Sequence, residues 1–338
     1  VEAINVLSIA KSFRTSRARD LVQFGHSEAS VFGLIEDNSG EFELGLSIEH
    51  GRKSAFYNGN KQSSLPDFVG KLCCVCFSPG DLALVQGAPQ ERRRFLDRHL
   101  VDAKPSIFSS LLTYQRALKH KNSLLKNEQC GAAELQTFNQ ILAESGEVII
   151  RERCVLLKEI EQEANVIHQE FSATDGKLVL ETDSSFKGFT GGITKEEIYA
   201  QLDAVSNRER AARLSILGPH RDDVRIQLSD KDARSFASQG QARSIVLSLK
   251  LAVIEVLKKH RGESPIILLD DIDSELDQKR GADLFDFIFS RSQQTIITGT
   301  ESRFHARANA SDYRIFYVKN GRILRENSSE LAHFDEVV

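Results

Sequence analysis

The sequence predicts an α/β protein in which a parallel-strand core and an antiparallel β meander are interrupted by an inserted helical arm. Three observations predict it. Residues 264–270 and 295–298 are apolar runs that alternate with helical segments at about 241–260 and 279–290, and buried strands alternating with helices belong to parallel sheets. Residues 31–77 instead alternate apolar and polar, with turn signals at Asn38-Ser39-Gly40, His50-Gly51 and Asn58-Gly59, the pattern of a meander. Between them, residues 89–127 and 133–171 repeat apolar positions every three or four residues, the period of long amphipathic helices.

In chain order, residues 1–10 read as a helix and Lys11 to Arg19 as a polar, arginine-rich connection. Phe32, Leu34, Phe42, Leu44, Leu46 and Ile48 fit the period of two. Leu72 to Phe77 reads as a buried strand whose Cys73, Cys74 and Cys76 act as small apolar groups, since no second cluster at zinc-site spacing accompanies them. The two helical runs, joined near Gln129-Cys130-Gly131, are expected to pack as an antiparallel arm, because a lone helix would expose its apolar stripe. Residues 177–228 return to short, turn-rich pieces, and Tyr313 to Arg325 reads as a hairpin around Asn320-Gly321. The expected division is a β-rich first part of a head at 1–88, the arm at 89–205, and the rest of the head at 206–338.

Composition narrows the class. With 41% apolar and 27% charged residues, 338 residues are enough for a real core and are neither disordered nor fibrous in character. No apolar run approaches the roughly 20 residues that span a bilayer, and no export signal opens the chain; the expected location is the cytoplasm, away from membranes. Five cysteines, an odd count in a long chain, argue against a secreted disulfide framework. A net charge of −4 supplies no global basic field, so nucleic-acid contact has to come from local patches.

Ile266-Ile267-Leu268-Leu269-Asp270-Asp271 places paired carboxylates at the tip of a buried strand, where α/β folds put ligand sites. Asp270 there suits Mg²⁺, and Asp271 suits orienting or deprotonating a water; a strand end capped by solvated acids has the same pattern. Upstream, Ser238-Gln239-Gly240-Gln241-Ala242-Arg243 opens the helix that begins at Ser244. A Ser/Gly/Gln cluster at a helix start offers backbone N–H groups and a positive dipole end to a phosphate. It equally makes a capping box, with Ser238 as cap and Gln241 at N3. Ser274-Glu275-Leu276-Asp277 and then Thr298-Gly299-Thr300 follow the acids. His220-Arg221-Asp222 superficially suits a protein kinase, yet Gln227 stands where that motif needs Asn and no D-F-G follows.

This order of features resembles the ABC ATPase family, and its strings resemble RecF. They are Phe77-Ser78-Pro79-Gly80-Asp81-Leu82 with Arg92-Arg93-Arg94-Phe95-Leu96-Asp97, and Leu217-Gly218-Pro219-His220-Arg221-Asp222-Asp223. The third runs from Phe236 through Ser238-Gln239-Gly240-Gln241 to Leu247-Ser248-Leu249-Lys250-Leu251-Ala252. The resemblance covers essentially the whole chain and implies an ABC-type ATPase head with an inserted helical arm, using ATP and Mg²⁺. By it, Asp270 holds the metal and Asp271 stands where many relatives have glutamate, leaving slow hydrolysis. Ser238, Gln239, Gly240 and Gln241 cap the γ-phosphate across a homodimer, Asp277 falls in the loop after the paired acids, and Thr300 takes the switch position. Val1 would then follow directly on a phosphate loop. That loop's motif occurs nowhere in these residues, so the chain as written is expected to bind ATP poorly.

The resemblance further implies an ATP-driven clamp on gapped or duplex DNA in recombinational repair, with the mediators RecR and RecO as partners. Candidate phosphate contacts are Lys11, Arg14, Arg17 and Arg19, then Arg92, Arg93, Arg94 and Arg98, then Arg116, Lys119, Lys121 and Lys126 on the arm. Two other readings remain open: an SMC-like chromosome-associated ATPase, which a longer coiled coil or hook cysteines would mark, and a non-catalytic DNA-binding fragment.

Overall fold

The computed structural model describes residues 1–15, 17–127, 131–171, 176–271, 278–291, 294–299, 314–319 and 321–324. Residues Val1–Thr298 form one compact unit and Gly299–Val338 a second.

Helix α1 (Glu2–Ile9) buries Val6 and Leu7 and ends as Ala10 turns left-handed, at φ 52°. It packs on the meander of β1 (Glu28–Asp37), β2 (Gly40–Glu49), β3 (Arg52–Tyr57) and β4 (Asn60–Lys61), antiparallel in that order. Phe42, Leu44, Leu46 and Ile48 of β2 are buried, as period two requires. Phe32 and Leu34 of β1 keep the period but face outward, 54% and 70% exposed, because register pairs them with Gly45 and Glu43 on the opposite face of β2. The Phe32 ring takes the place of a side chain on Gly45, where a Cβ would come within 2.4 Å of it.

The meander ends at Lys61, earlier than the alternation suggests. Strand β5 (Cys74–Phe77) leaves it to join the parallel sheet, and all four of its residues are buried. Burial pushes the thiols of Cys74 and Cys76 up to about 12 and about 11, so they stay protonated and serve as apolar filling.

After α2 (Ala83–Gln86), the first expected long helix is two: α3 (Pro89–Ala103) and α4 (Ile107–Leu124). Pro105 separates them, since proline disfavours helical backbone in the residue before it. Helix α5 (Ala132–Phe171) runs 40 residues and packs on α4, as the apolar stripes require. Then come β6 (Leu178–Asp183), α6 (Lys195–Ala204), α7 (Ser206–Ala212), β7 (Asp223–Leu228), β8 (Lys231–Asp232) and α8 (Ala233–Phe236), with β6, β7 and β8 forming an antiparallel sheet.

Helix α9 (Gln239–Arg261) is apolar nearly all round and accordingly buried nearly all round; it packs on α3, α5 and β5 and stops at Gly262, φ 75°. Strand β9 (Ile266–Asp270), helix α10 (Gln278–Arg291) and strand β10 (Thr295–Thr298) complete the unit. The parallel sheet has the order β10-β9-β5, and the central β9 buries Ile267, Leu268 and Leu269. In the second unit, β11 (Tyr317–Lys319) and β12 (Arg322–Leu324) form the expected hairpin.

Buried cations cross-link these segments. Arg153 of α5 binds Asp97 of α3 through two bonds of 2.7 and 2.9 Å. Lys121 of α4, 1% exposed, lies 2.6 Å from Glu209 of α7, also 1% exposed. Glu209 further accepts hydrogen bonds from the Ser215 hydroxyl and the Ile216 N–H, each at 2.9 Å. Removing one member strands a buried charge. Lys121→Met is therefore expected to lower stability by ~3–5 kcal/mol in urea unfolding, with much of the loss recovered by adding Glu209→Leu.

Candidate nucleotide site and basic surface

The carboxyl edge of the parallel sheet is set by register. Thr298 of β10 lies opposite Asp270 of β9, and on the other side Phe77 of β5 lies opposite Leu269, so Ser78 follows beside the same tip. The Asp270 side chain is only 10% exposed. Its Oδ1 accepts the Thr298 hydroxyl at 3.1 Å and its Oδ2 accepts Arg14 Nη2 at 2.6 Å. Arg14 reaches it from a turn in which the Ser12 Oγ accepts the N–H groups of Arg14 and Thr15, at 2.8 and 3.0 Å. Asp271 adopts φ 52° and donates its N–H to the Thr298 carbonyl at 3.1 Å, which turns the chain sharply off the strand. A carboxylate and a hydroxyl at one strand tip are hard oxygen donors that fit Mg²⁺, with Arg14 supplying the present counter-charge.

A second candidate element is the start of α9. Ser238 N–H donates to Gln241 Oε1 at 2.9 Å, and Gln241 N–H donates to Ser238 Oγ at 3.2 Å. The capping box is formed, and Ser238 and Gln239 stay exposed. First-turn N–H groups, such as those of Gln239 and Gly240, have no acceptor inside a helix and are available to an anion. Asp277 and Thr300 lie outside the described residues.

The string from Leu217 to Asp223 is a junction. Gly218 sits at φ 134°, and a Cβ there would lie 2.2 Å from the Tyr114 hydroxyl, so only glycine fits. Tyr114 of α4 shares a hydrogen bond with His220 Nδ1 at 2.6 Å, while His220 Nε2 faces the Ser215 carbonyl at 3.4 Å. Arg153 donates to the Pro219 carbonyl at 2.7 Å, and Ser185 N–H to Asp222 at 2.7 Å. Asp223 takes Arg92 of α3 through bonds of 2.7 and 2.9 Å.

The comparisons decide what this assembly is. The chain is 36% identical over 324 residues to the DNA replication and repair protein RecF of Streptococcus pyogenes serotype M49 (strain NZ131), covering 96% of this chain and 88% of that protein. RecF of Oenococcus oeni (strain ATCC BAA-331 / PSU-1) is 36% identical over 335 residues, with 96% and 89% covered. The chain belongs to the RecF family. Two solved structures of the recombination mediator protein RecF of the RecFOR pathway, with ATPrS and with ATP, are 30% identical to it with TM-scores of 0.83 and 0.84, each over 95% of this chain and 86% of the other. No family model matches the chain. Its α/β fold is thus the ABC-type head of RecF.

Within this RecF fold the expected DNA contacts separate. Arg92 is 4% exposed and also caps the carbonyls of Leu84 and Gly87, at 3.3 and 3.1 Å. Lys121 lies on the same stripe of α4 as Leu111, Tyr114, Ala117 and Leu125, all buried. Neither reaches solvent, and both leave the list of phosphate contacts: their charges are spent on Asp223 and Glu209. Arg93 is half-buried and donates to the Asp222 carbonyl. Arg98, likewise half-buried, bonds Asn5 at 2.6 Å and the Cys74 carbonyl at 3.0 Å. Lys11, Arg17, Arg19, Arg94, Arg116, Lys119 and Lys126 are exposed, with Arg94 on Glu91 at 3.0 Å. Arg116 and Lys119 fall on the face of α4 away from Lys121, as 100° per residue demands, and Lys126 lies just past its C-terminal end.

Reading the sequence for chemistry missed Arg153, Tyr114 and Lys250. The available signal was a polar or charged residue at a stripe position: Arg153 stands among Ile149, Ile150, Leu156 and Leu157, all buried. His220 shows what such burial does, its imidazole being pushed from 6.5 down to about 4 by desolvation. The unfolded chain therefore binds the additional proton between those values. The stabilisation is full above 6.5 and lost as pH falls toward 4. His220→Gln is expected to flatten the fall in urea midpoint between about pH 7 and pH 5.

Proposed function

We propose that this RecF-family chain is an ATP-dependent DNA-binding protein of recombinational repair and replication-gap processing. In this reading ATP drives a homodimer to close on gapped or duplex DNA and to help the mediators RecR and RecO load recombinase. The observation that carries it is the presence of two half-sites in one compact unit. One is an aspartate at the tip of a buried parallel strand; the other is an exposed helix start whose cap is already formed. The RecF structure solved with ATP supports a nucleotide in this fold.

The residues divide accordingly. Asp270 would hold Mg²⁺ when nucleotide is bound, and Asp271 would orient the attacking water, its short reach favouring slow turnover. Ser238, Gln239, Gly240 and Gln241 would cap the γ-phosphate of the partner's nucleotide; Asp277 and Thr300 are assigned a part in it by the family resemblance alone. Arg14, held on Asp270, would yield that carboxylate when the metal arrives. A ligand that binds only the closed dimer stabilises it by mass action, so ATP acts as a switch as well as a substrate. DNA contact falls to the exposed cations Lys11, Arg17, Arg116 and Lys119, with Arg93 at the margin of the junction.

Light scattering of the full-length protein with ATP tests the switch. The wild type should dimerise and Ser238→Arg should stay monomeric, because an arginine there fills the phosphate position. Monomers in both would sink the composite site. On DNA, Arg116→Ala with Lys119→Ala should weaken binding to all sequences alike and make the log–log salt dependence shallower by about 2. An unchanged slope would remove that face of α4 from the interface.

A further inference from the structure

Lys250 lies in the middle of α9 and is 6% exposed. A buried ammonium needs acceptors close by. Its Nζ donates to the Cys76 carbonyl and to Asp81 Oδ2, and lies 5.3 Å from the centre of the Phe77 ring. Asp81 in turn accepts the Ser78 N–H at 2.8 Å and the Ser78 hydroxyl at 3.1 Å, closing a turn over residues 78–82. That turn leaves β5 at the carboxyl edge of the parallel sheet, next to Asp270 by register. The Cys76 thiol feels the charges of Lys250, Asp81 and Asp270 together, which puts the turn and the strand tip in one electrostatic neighbourhood.

Helix α9 therefore touches two places. Its first turn presents Ser238 and Gln239 outward, and about 16 Å further along the same helix Lys250 grips the 78–82 turn. Packed on α3, α5 and β5, the helix has no room to bend between them. We infer that Lys250 is a positioning residue that couples the two nucleotide sites of the dimer: closure of α9 on the partner's γ-phosphate is passed, through Asp81, to the turn beside Asp270 of its own subunit. The inference rests on the composite site proposed above. It makes the two ATP sites cooperative, since occupying one orders the edge of the other.

Amide exchange of residues 78 and 80–82 in the full-length protein, with and without magnesium and ATP, reads this directly. In the wild type, ATP should slow exchange in the turn by about tenfold. Lys250→Met and Asp81→Asn should abolish that slowing while their monomers still bind a fluorescent ATP analogue within about threefold of wild type. Asp81→Asn keeps one oxygen for the Ser78 N–H but removes the negative charge that Lys250 pairs with, and Lys250→Arg should restore the slowing. If Lys250→Met does not fold, these two variants carry the test. Slowing that persists in Asp81→Asn or Lys250→Met overturns the coupling, as does loss that Lys250→Arg fails to restore. A wild type that dimerises with ATP but leaves the turn unprotected overturns the coupling alone. A wild type that never dimerises overturns the composite site and the coupling with it.

Discussion

A cation removed from water must find its counter-charge within a few ångströms, and this requirement shapes much of the protein. Arg92, Lys121, Arg153 and Lys250 are all nearly inaccessible, and each is matched by one carboxylate: Asp223, Glu209, Asp97 and Asp81. Such pairs contribute little net stability compared with well-packed apolar groups, but breaking one is severe, so each fixes a particular arrangement. In every case the partners come from different elements. Together they join α3 to the edge of β7, α4 to α7, α5 to α3, and α9 to the turn after β5.

The consequence is that the helical arm and the strand-built head are cross-linked within one compact unit. Helix α5 packs on α4 along one length and on α9 along another, and the Leu217–Asp223 junction receives bonds from α3, α4 and α5 within seven residues of chain. Strings that identify the family thus serve two ends. Ser238 to Gln241 and Asp270 stand at an exposed helix start and at a strand tip, whereas Arg92, Gly218 and His220 hold the body to which those groups are anchored.

What could be read in the sequence was whatever depends on near neighbours. The run from Ile266 to Asp270, the capping box at Ser238, the helix stripes and the hairpin around Gly321 each arise from periodicity or from contacts a few residues apart. The departures come from pairing across the chain. Register alone decides that Phe32 and Leu34 face outward while Leu44 and Leu46 face inward. Strand β5 looks like one more strand of the meander until β9, nearly two hundred residues later, pairs with it. Likewise Arg92 and Arg94 are indistinguishable in composition, yet one is sealed beneath Asp223 and the other lies in solvent. Only the turn of α3 tells them apart.

The central claim, that buried ion pairs make head and arm one cooperative body, is tested most directly by native-state hydrogen exchange in rising denaturant, comparing α4 with β9. The account predicts that amides of both open with the same free energy and the same denaturant dependence, because neither can unfold while the pairs persist. Helix α4 opening at clearly lower free energy than β9 would contradict it, and would make the arm a separately folding domain carried on the head.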